Sequence, residues 1–209
     1  MSLLNALRTS TTRFDEPWRH WEIEGPLSDA MVAEVAATVV PEGSRAYDGT
    51  RAADNGGGGL DAVLRCYVTP DNIEHFPALA GLIDELRSPE TVALIEDMIE
   101  RRVRGHNLRV EVIVDRNGFW LQPHKDIREK LMSMQLYVNV VGESEALGTD
   151  IYVAELQGVK TIPSRHNWGY MFAAGSDTWH GLERKAVREE RRSILINYVT
   201  FEAGWAVPG

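Results

Sequence analysis

Hydrophobic positions along this chain keep two different periods, and the change from one to the other falls at Gly105. Before it, Met31, Val32, Val35, Ala36 and Val39 recur at helical spacing behind Ser28, a side chain suited to capping the first free amides of a helix. Pro41 marks the stop. The same period returns from Asn72 to about Val103, with Leu79, Leu82, Ile83 and Leu86 on one stripe and Val92, Leu94, Ile95, Met98 and Ile99 on the next. Ser88-Pro89 breaks that run into two helices. Arg19–Glu24 and Ala62–Thr69 read as short strands.

After Gly105 the runs become short, β-branched and aromatic: Leu108–Val114, Phe119–Gln122, Met132–Val140, Ile151–Glu155, Tyr170–Ala173, Trp179–Glu183 and Ser193–Phe201. Gly, Asn, Asp and Pro separate them, as they separate the strands of a sandwich or barrel. The pattern predicts a mainly β protein with N-terminal helices packed on a jelly roll, a double-stranded β-helix core of the cupin-like kind. No internal repeat or low-complexity linker divides the chain. Residues 1–209 therefore read as a single domain, with 1–105 giving helical support and a flexible loop and 106–203 forming the jelly-roll core.

That loop contains Asn55-Gly56-Gly57-Gly58-Gly59, the most permissive backbone in the chain. It lacks the Gly-Lys-Ser/Thr of a phosphate loop and the strand–glycine–helix setting such a loop needs. Residues 47–61 read either as a lid that orders over a substrate or as a plain connection.

Composition narrows the partners. At 44% apolar and 25% charged residues the 209-residue chain is an ordinary globular sequence, long enough to bury a core. A net charge of −9 argues against nucleic acid or an anionic membrane as the main partner. Arg184, Lys185, Arg188, Arg191 and Arg192 cluster, but Glu183, Glu189 and Glu190 interrupt them. Cys66 is the only cysteine, which rules out an intramolecular disulfide and a multi-cysteine metal site. No apolar run has the length of a secretory signal or a membrane span, so the expectation is a cytoplasmic protein.

Within the β half, His124 and Asp126 are two residues apart, His180 follows 56 residues later and Arg191 another 11. In an extended strand the first two side chains leave the same face. An imidazole and a carboxylate joined by a distant histidine form the two-histidine, one-carboxylate triad, which holds Fe(II) on one face and leaves the other open to a cosubstrate and O2. The donor set also admits Mn, Co, Ni or Zn. The basic residue beyond His180 suits a dicarboxylate. Arg191 fits that place best, since alternation turns Arg192 to the opposite face; Arg188 is the other candidate.

Several stretches then resemble one family: Gln122-Pro123-His124-Lys125-Asp126, Gln135-Leu136-Tyr137-Val138-Asn139, Gly148-Thr149-Asp150-Ile151-Tyr152, Gly169-Tyr170-Met171-Phe172, Trp179-His180-Gly181-Leu182 and Glu190-Arg191-Arg192-Ser193-Ile194-Leu195. From Asn107 to Phe201 the chain resembles the catalytic core of the 2-oxoglutarate/Fe(II)-dependent dioxygenases, in the style of the prolyl-hydroxylase-like branch. The resemblance implies that His124, Asp126 and His180 bind Fe(II), and that Arg191 and Tyr137 hold the distal carboxylate of 2-oxoglutarate. It also implies that O2 is consumed while a small-molecule, sugar-linked or peptide substrate is hydroxylated, with release of succinate and CO2. Because Asp126 is a carboxylate and not the small residue of the related halogenases, hydroxylation is the implied outcome. The chain departs from the family at Gly148-Thr149-Asp150, where many members carry two glycines, and at Arg116-Asn117-Gly118-Phe119-Trp120, where a Tyr-x-x-Gly element is usual.

Other residues have plainer readings. His20, His75, His106 and His166 read as structural or surface histidines. Trp120, Trp168 and Trp179 read as pocket walls or as core, with core favoured for Trp168. Asn107, Arg109 and Arg128 read as substrate contacts at the sandwich mouth or as solvated loop residues. Two other functions compete: a cupin-type metalloenzyme that does not use 2-oxoglutarate, which leaves Arg191 unexplained, and a non-catalytic jelly-roll binding module.

Overall fold

Ser28 and Ser88 cap the helices that the sequence places behind them, accepting from the amides of Met31 and Thr91 at 3.3 Å each. Pro89 follows Ser88 at the first helical position, where its missing N–H costs nothing. The computed structural model describes residues 2–41, 63–139, 143–154 and 157–209. The glycine-rich stretch and the 47–61 loop lie outside the described residues. In chain order the elements are α1 (Leu3–Thr9), β1 (Thr11–Phe14), β2 (His20–Glu24), α2 (Asp29–Ala37), β3 (Val63–Val68), α3 (Pro77–Arg87), α4 (Pro89–Ile99), β4 (Asn107–Asp115), β5 (Leu121–His124), β6 (Lys130–Tyr137), β7 (Thr149–Ala154), β8 (Gln157–Ile162), β9 (Trp168–Ala173), β10 (Trp179–Leu182), β11 (Arg191–Val199) and β12 (Trp205–Ala206). No helix among the described residues is long and apolar enough to cross a membrane.

Two antiparallel sheets face each other. The larger has eight strands in the order β1-β2-β9-β6-β11-β4-β12, with β3 also pairing β4; the smaller runs β5-β10-β7-β8. This is the mainly β, double-stranded β-helix arrangement with N-terminal helices that the hydrophobic periods predict. β1, β2 and β3 come from the first 105 residues and join the larger sheet, so the division at residues 105 and 106 does not separate helices from strands.

Alternation sorts the central strands into two faces. Leu108, Val110, Val112 and Val114 of β4, Met132, Met134 and Leu136 of β6, and Ile194, Ile196 and Tyr198 of β11 belong to the main core, together with Leu79, Leu82, Ile83, Leu86, Val92, Ile95 and Ile99 of α3 and α4. The helices therefore cover the outer face of the larger sheet, and the Tyr198 hydroxyl donates to the Leu86 carbonyl at 2.6 Å across that contact. The odd-numbered residues of the same strands face inward between the sheets. Many of these are polar yet buried: Arg109, Glu111 and Asp115 on β4, Ser133 on β6, and Arg191, Ser193 and Asn197 on β11. A buried polar face needs partners, and it marks where chemistry can be housed.

Candidate metal centre and its cavity

His180 on β10 lies directly across from His124 on β5, and their ring centroids are 4.3 Å apart. Gly181 permits this pairing, since a Cβ there would come within 2.7 Å of the Leu121 carbonyl oxygen. Asp126 completes the cluster: one potential ligand atom from each of His124, Asp126 and His180 lies within 4.8 Å of the others. Asp126 does not share a strand face with His124, as strict alternation would have it, because β5 ends at His124. Its carboxylate is instead drawn in by Lys130 and Ser133, at 2.6 Å each on opposite oxygens.

Each histidine is oriented by its Nδ1. That of His124 is 3.0 Å from the Gln122 carbonyl and that of His180 is 2.9 Å from the Thr178 carbonyl. A carbonyl only accepts, so each Nδ1 carries the proton and each Nε2 keeps its lone pair. Burial, reinforced by the neighbouring His180, pushes His124 down to about 3, and burial also lowers His180. Both imidazoles are therefore neutral at neutral pH, each with a free Nε2 lone pair. Burial alone would raise Asp126, but the Lys130 ammonium, His180 and the two hydrogen bonds outweigh it and hold the carboxyl well below its ordinary range. Two neutral nitrogen donors and one anionic oxygen donor converge on a single point, which fits a divalent metal with its remaining positions open.

One cavity is lined by this cluster and by Gln135, Thr149, Tyr170 and Arg191. Arg191 is buried, and its Nε donates to the Leu147 carbonyl at 2.5 Å. One terminal nitrogen pairs with Asp115, and the other is 3.4 Å from the Tyr137 hydroxyl. The guanidinium also lies 5.1 Å from the centre of the Tyr137 ring. Thr149 Oγ1 joins the hydroxyls of Tyr137 and Tyr170 at 2.8 and 3.0 Å. Gly148 sets the position of Thr149, since a Cβ there would overlap the Ile162 carbonyl oxygen at 1.6 Å.

The neighbouring arginines go elsewhere. Arg192 points to the opposite face of β11 and donates to the carbonyls of Val35 and Thr38 at 3.0 and 2.8 Å, at the end of α2. Arg188 is exposed. None of Trp120, Trp168 and Trp179 lines the cavity: cations stack on all three, from Arg184, Arg165 and Lys125 respectively. His20 is buried and structural, stacked on Phe14 with Nδ1 2.8 Å from the Trp18 carbonyl; His166 lies 3.0 Å from the Asn139 carbonyl. Asn107 donates to the Phe201 carbonyl, and Arg128 is exposed. Arg109 is buried, not solvated. It donates to Asn197 at 3.2 Å, Asn197 to Ser133 at 2.8 Å, and Ser133 to Asp126, so a chain of hydrogen bonds leads from Arg109 to the Asp126 carboxylate of the cluster.

Sequence reasoning missed Lys130, Ser133, Gln135, Thr149, Asp115 and Arg65. Ser133, Gln135 and Tyr137 do carry a signal, as alternate polar or amphipathic residues in a strand whose other positions are apolar.

No family model matches this sequence, and no curated protein matches it. Solved structures do. A prolyl-4-hydroxylase of Pseudomonas putida superposes with a TM-score of 0.62 at 15% identity, over 96% of this chain and 98% of that one. HygX of Streptomyces hygroscopicus, a structure with nickel and 2-oxoglutarate bound, gives 0.56 at 13% identity over 91% and 92%. A prolyl hydroxylase of Trichoplax adhaerens, in complex with a hypoxia-inducible-factor peptide fragment, gives 0.54 at 16% identity over 95% and 87%. At these identities the likeness is one of fold.

Proposed function

We propose that this chain is an Fe(II)- and 2-oxoglutarate-dependent oxygenase of the prolyl-hydroxylase-like kind, which hydroxylates a small-molecule, sugar-linked or peptide substrate with release of succinate and CO2. The observation that carries the reading is the presence, in one cavity, of the His124, Asp126 and His180 cluster and the buried guanidinium of Arg191. A metal site alone would suit many enzymes. A metal site facing a buried arginine suits a chelating dicarboxylate. The three similar structures support it, being two prolyl hydroxylases and a protein with 2-oxoglutarate bound. A cytoplasmic setting, in which Cys66 stays reduced, fits the same reading.

When bound, iron(II), 2-oxoglutarate and O2 supply the oxidising chemistry that no side chain can. The protein's part is to place and isolate it. His124 and His180 would present Nε2 to the metal, oriented by the carbonyls of Gln122 and Thr178. Asp126 would give the third ligand, aimed by Ser133 and Lys130. Arg191 would take the distal carboxylate through its planar fork, with the Tyr137 hydroxyl beside it and Thr149 and Tyr170 holding that hydroxyl in place. Phe172 packs edge-on to His180 at 5.2 Å, and Ile113, Phe119, Leu182 and Leu195 form an apolar wall that keeps water from the reacting groups.

The test is an anaerobic titration of the metal-free protein with Fe(II) and 2-oxoglutarate, followed by the weak visible charge-transfer band of the chelate. The band is expected in the wild type, absent in His180→Ala, and reached only at much higher cosubstrate in Arg191→Ala. No band in a folded, iron-loaded wild type would overturn the reading and favour a cupin-type enzyme without 2-oxoglutarate or a non-catalytic binding module.

A further inference from the structure

Asp115 is a buried carboxylate that the proposed reaction does not use, and it sits on the guanidinium the reaction needs. Its Oδ2 accepts from Arg191, and both side chains are almost fully enclosed. Its Oδ1 has no hydrogen-bond partner among the described residues. On the adjacent strand β3, Arg65 stands opposite Ile113, diagonal to Asp115 on the same inward face and within reach for long side chains. Arg65 lines the same cavity, and its Nε is likewise buried without a hydrogen-bond partner among the described residues. An orphaned acceptor and an orphaned donor thus belong to two side chains of opposite charge that line the same cavity.

Charge on this wall points the same way. Arg65 and Arg191 both line the cavity, and Asp115 is a carboxylate that both guanidinium groups can reach. Glu111 stands 3.6 Å from Arg65 and 3.7 Å from Arg109, so it is divided between them. The distal carboxylate of 2-oxoglutarate would bring a second anion to Arg191, and the two carboxylates would crowd one guanidinium unless Asp115 moved to another cation. Like charges at such separations repel strongly in a buried site.

We propose that Asp115 and the distal carboxylate compete for Arg191, and that Arg65 is the guanidinium onto which Asp115 settles when the dicarboxylate takes Arg191. Asp115 and Arg65 are then positioning residues that set cosubstrate affinity in opposite directions. This inference rests on the 2-oxoglutarate reading.

The test is calorimetric titration of 2-oxoglutarate into the Mn(II)-loaded protein, for the wild type, Asp115→Asn, Arg65→Gln, Arg65→Lys and the Asp115→Asn/Arg65→Gln double variant, with thermal melting to verify folding. Asp115→Asn keeps the shape and an acceptor for Arg191, so it is expected to tighten 2-oxoglutarate by about tenfold, the size of one pKa unit of interaction. Arg65→Gln is expected to weaken it by a similar factor, Arg65→Lys to restore most of the loss, and the double variant to bind as Asp115→Asn does. A purely structural role would make Asp115→Asn bind more weakly and leave Arg65→Gln with the same effect in both backgrounds; either result overturns the inference. Asp115→Asn alone decides the sign if Arg65→Gln fails to fold. A wild type that does not bind 2-oxoglutarate overturns the cosubstrate reading and this inference with it, whereas wild-type binding with additive effects overturns this inference alone.

Discussion

Lys130 Nζ lies 2.6 Å from Asp126 Oδ1, four residues back along the chain, and both side chains are buried. The ammonium compensates a carboxylate that would otherwise be costly to enclose. Lys130→Met should therefore destabilise the metal-free protein by about 3–5 kcal/mol, the usual cost of leaving one member of a buried pair alone. A divalent cation supplies the missing charge, so Mn(II) should raise the melting temperature of Lys130→Met more than that of the wild type. Equal metal-induced shifts in the two proteins would show that Lys130 does not balance Asp126.

Acid should weaken the metal-free fold through its two enclosed imidazoles. Burial lowers both, His124 to about 3, while an unfolded histidine titrates at about 6.5. Below that value the unfolded chain binds protons that the native one refuses. The stability is complete above about pH 6.5 and falls as the pH drops towards His124's folded value, by up to about 1.4 kcal/mol per pH unit for each proton. Urea midpoints between pH 7.5 and pH 5 should show this slope, and His124→Asn should flatten it by up to one proton. An unchanged slope in the variant would show that His124 is not the group responsible.

Tyr137→Phe removes the hydroxyl shared by Arg191 and Thr149 and leaves the ring in its buried place. The expected result is a several-fold weaker 2-oxoglutarate affinity, about 1 kcal/mol for one hydrogen bond, with metal affinity unchanged. Titrating metal and cosubstrate separately distinguishes this from a general loss of structure.

Arg192→Ala should do the reverse. Arg192 holds the carbonyls of Val35 and Thr38 at the end of α2, so its loss should lower the melting temperature. Cosubstrate affinity should stay near the wild-type value, because the side chain leaves the face of β11 that Arg191 does not use. A marked loss of 2-oxoglutarate binding in this variant would contradict the separation of the two arginines.

The sequence was legible where a single period or cap governs. Ser28 and Ser88-Pro89 mark helix starts found within a residue, and the central strands β4, β6 and β11 show through their alternating apolar positions. β8 did not, because residues from Gln157 to Thr161 are mostly exposed and leave no apolar face to detect. β12 has only two residues, too few for any period. At the candidate site, type and spacing single out His124, Asp126, His180 and Arg191, and the structure brings all four to one cavity. Lys130, Asp115 and Arg65 were not legible. A charged residue in sequence usually signals solvent, and only the assembled sheets show that these three are enclosed with partners of opposite sign.

Strand β11 is hydrogen-bonded along both edges, to β4 and to β6. Arg191 stands at its start, and Asn197, six residues on, lies opposite Ser133, the side chain that steadies Asp126. The span between Arg191 and Ser133 is therefore fixed by strand registration and cannot stretch as a loop would. If Arg191 holds a dicarboxylate as proposed, the cavity is expected to act as a gauge: diacids one carbon shorter or longer than 2-oxoglutarate would meet a frame whose length is set by the ladder itself.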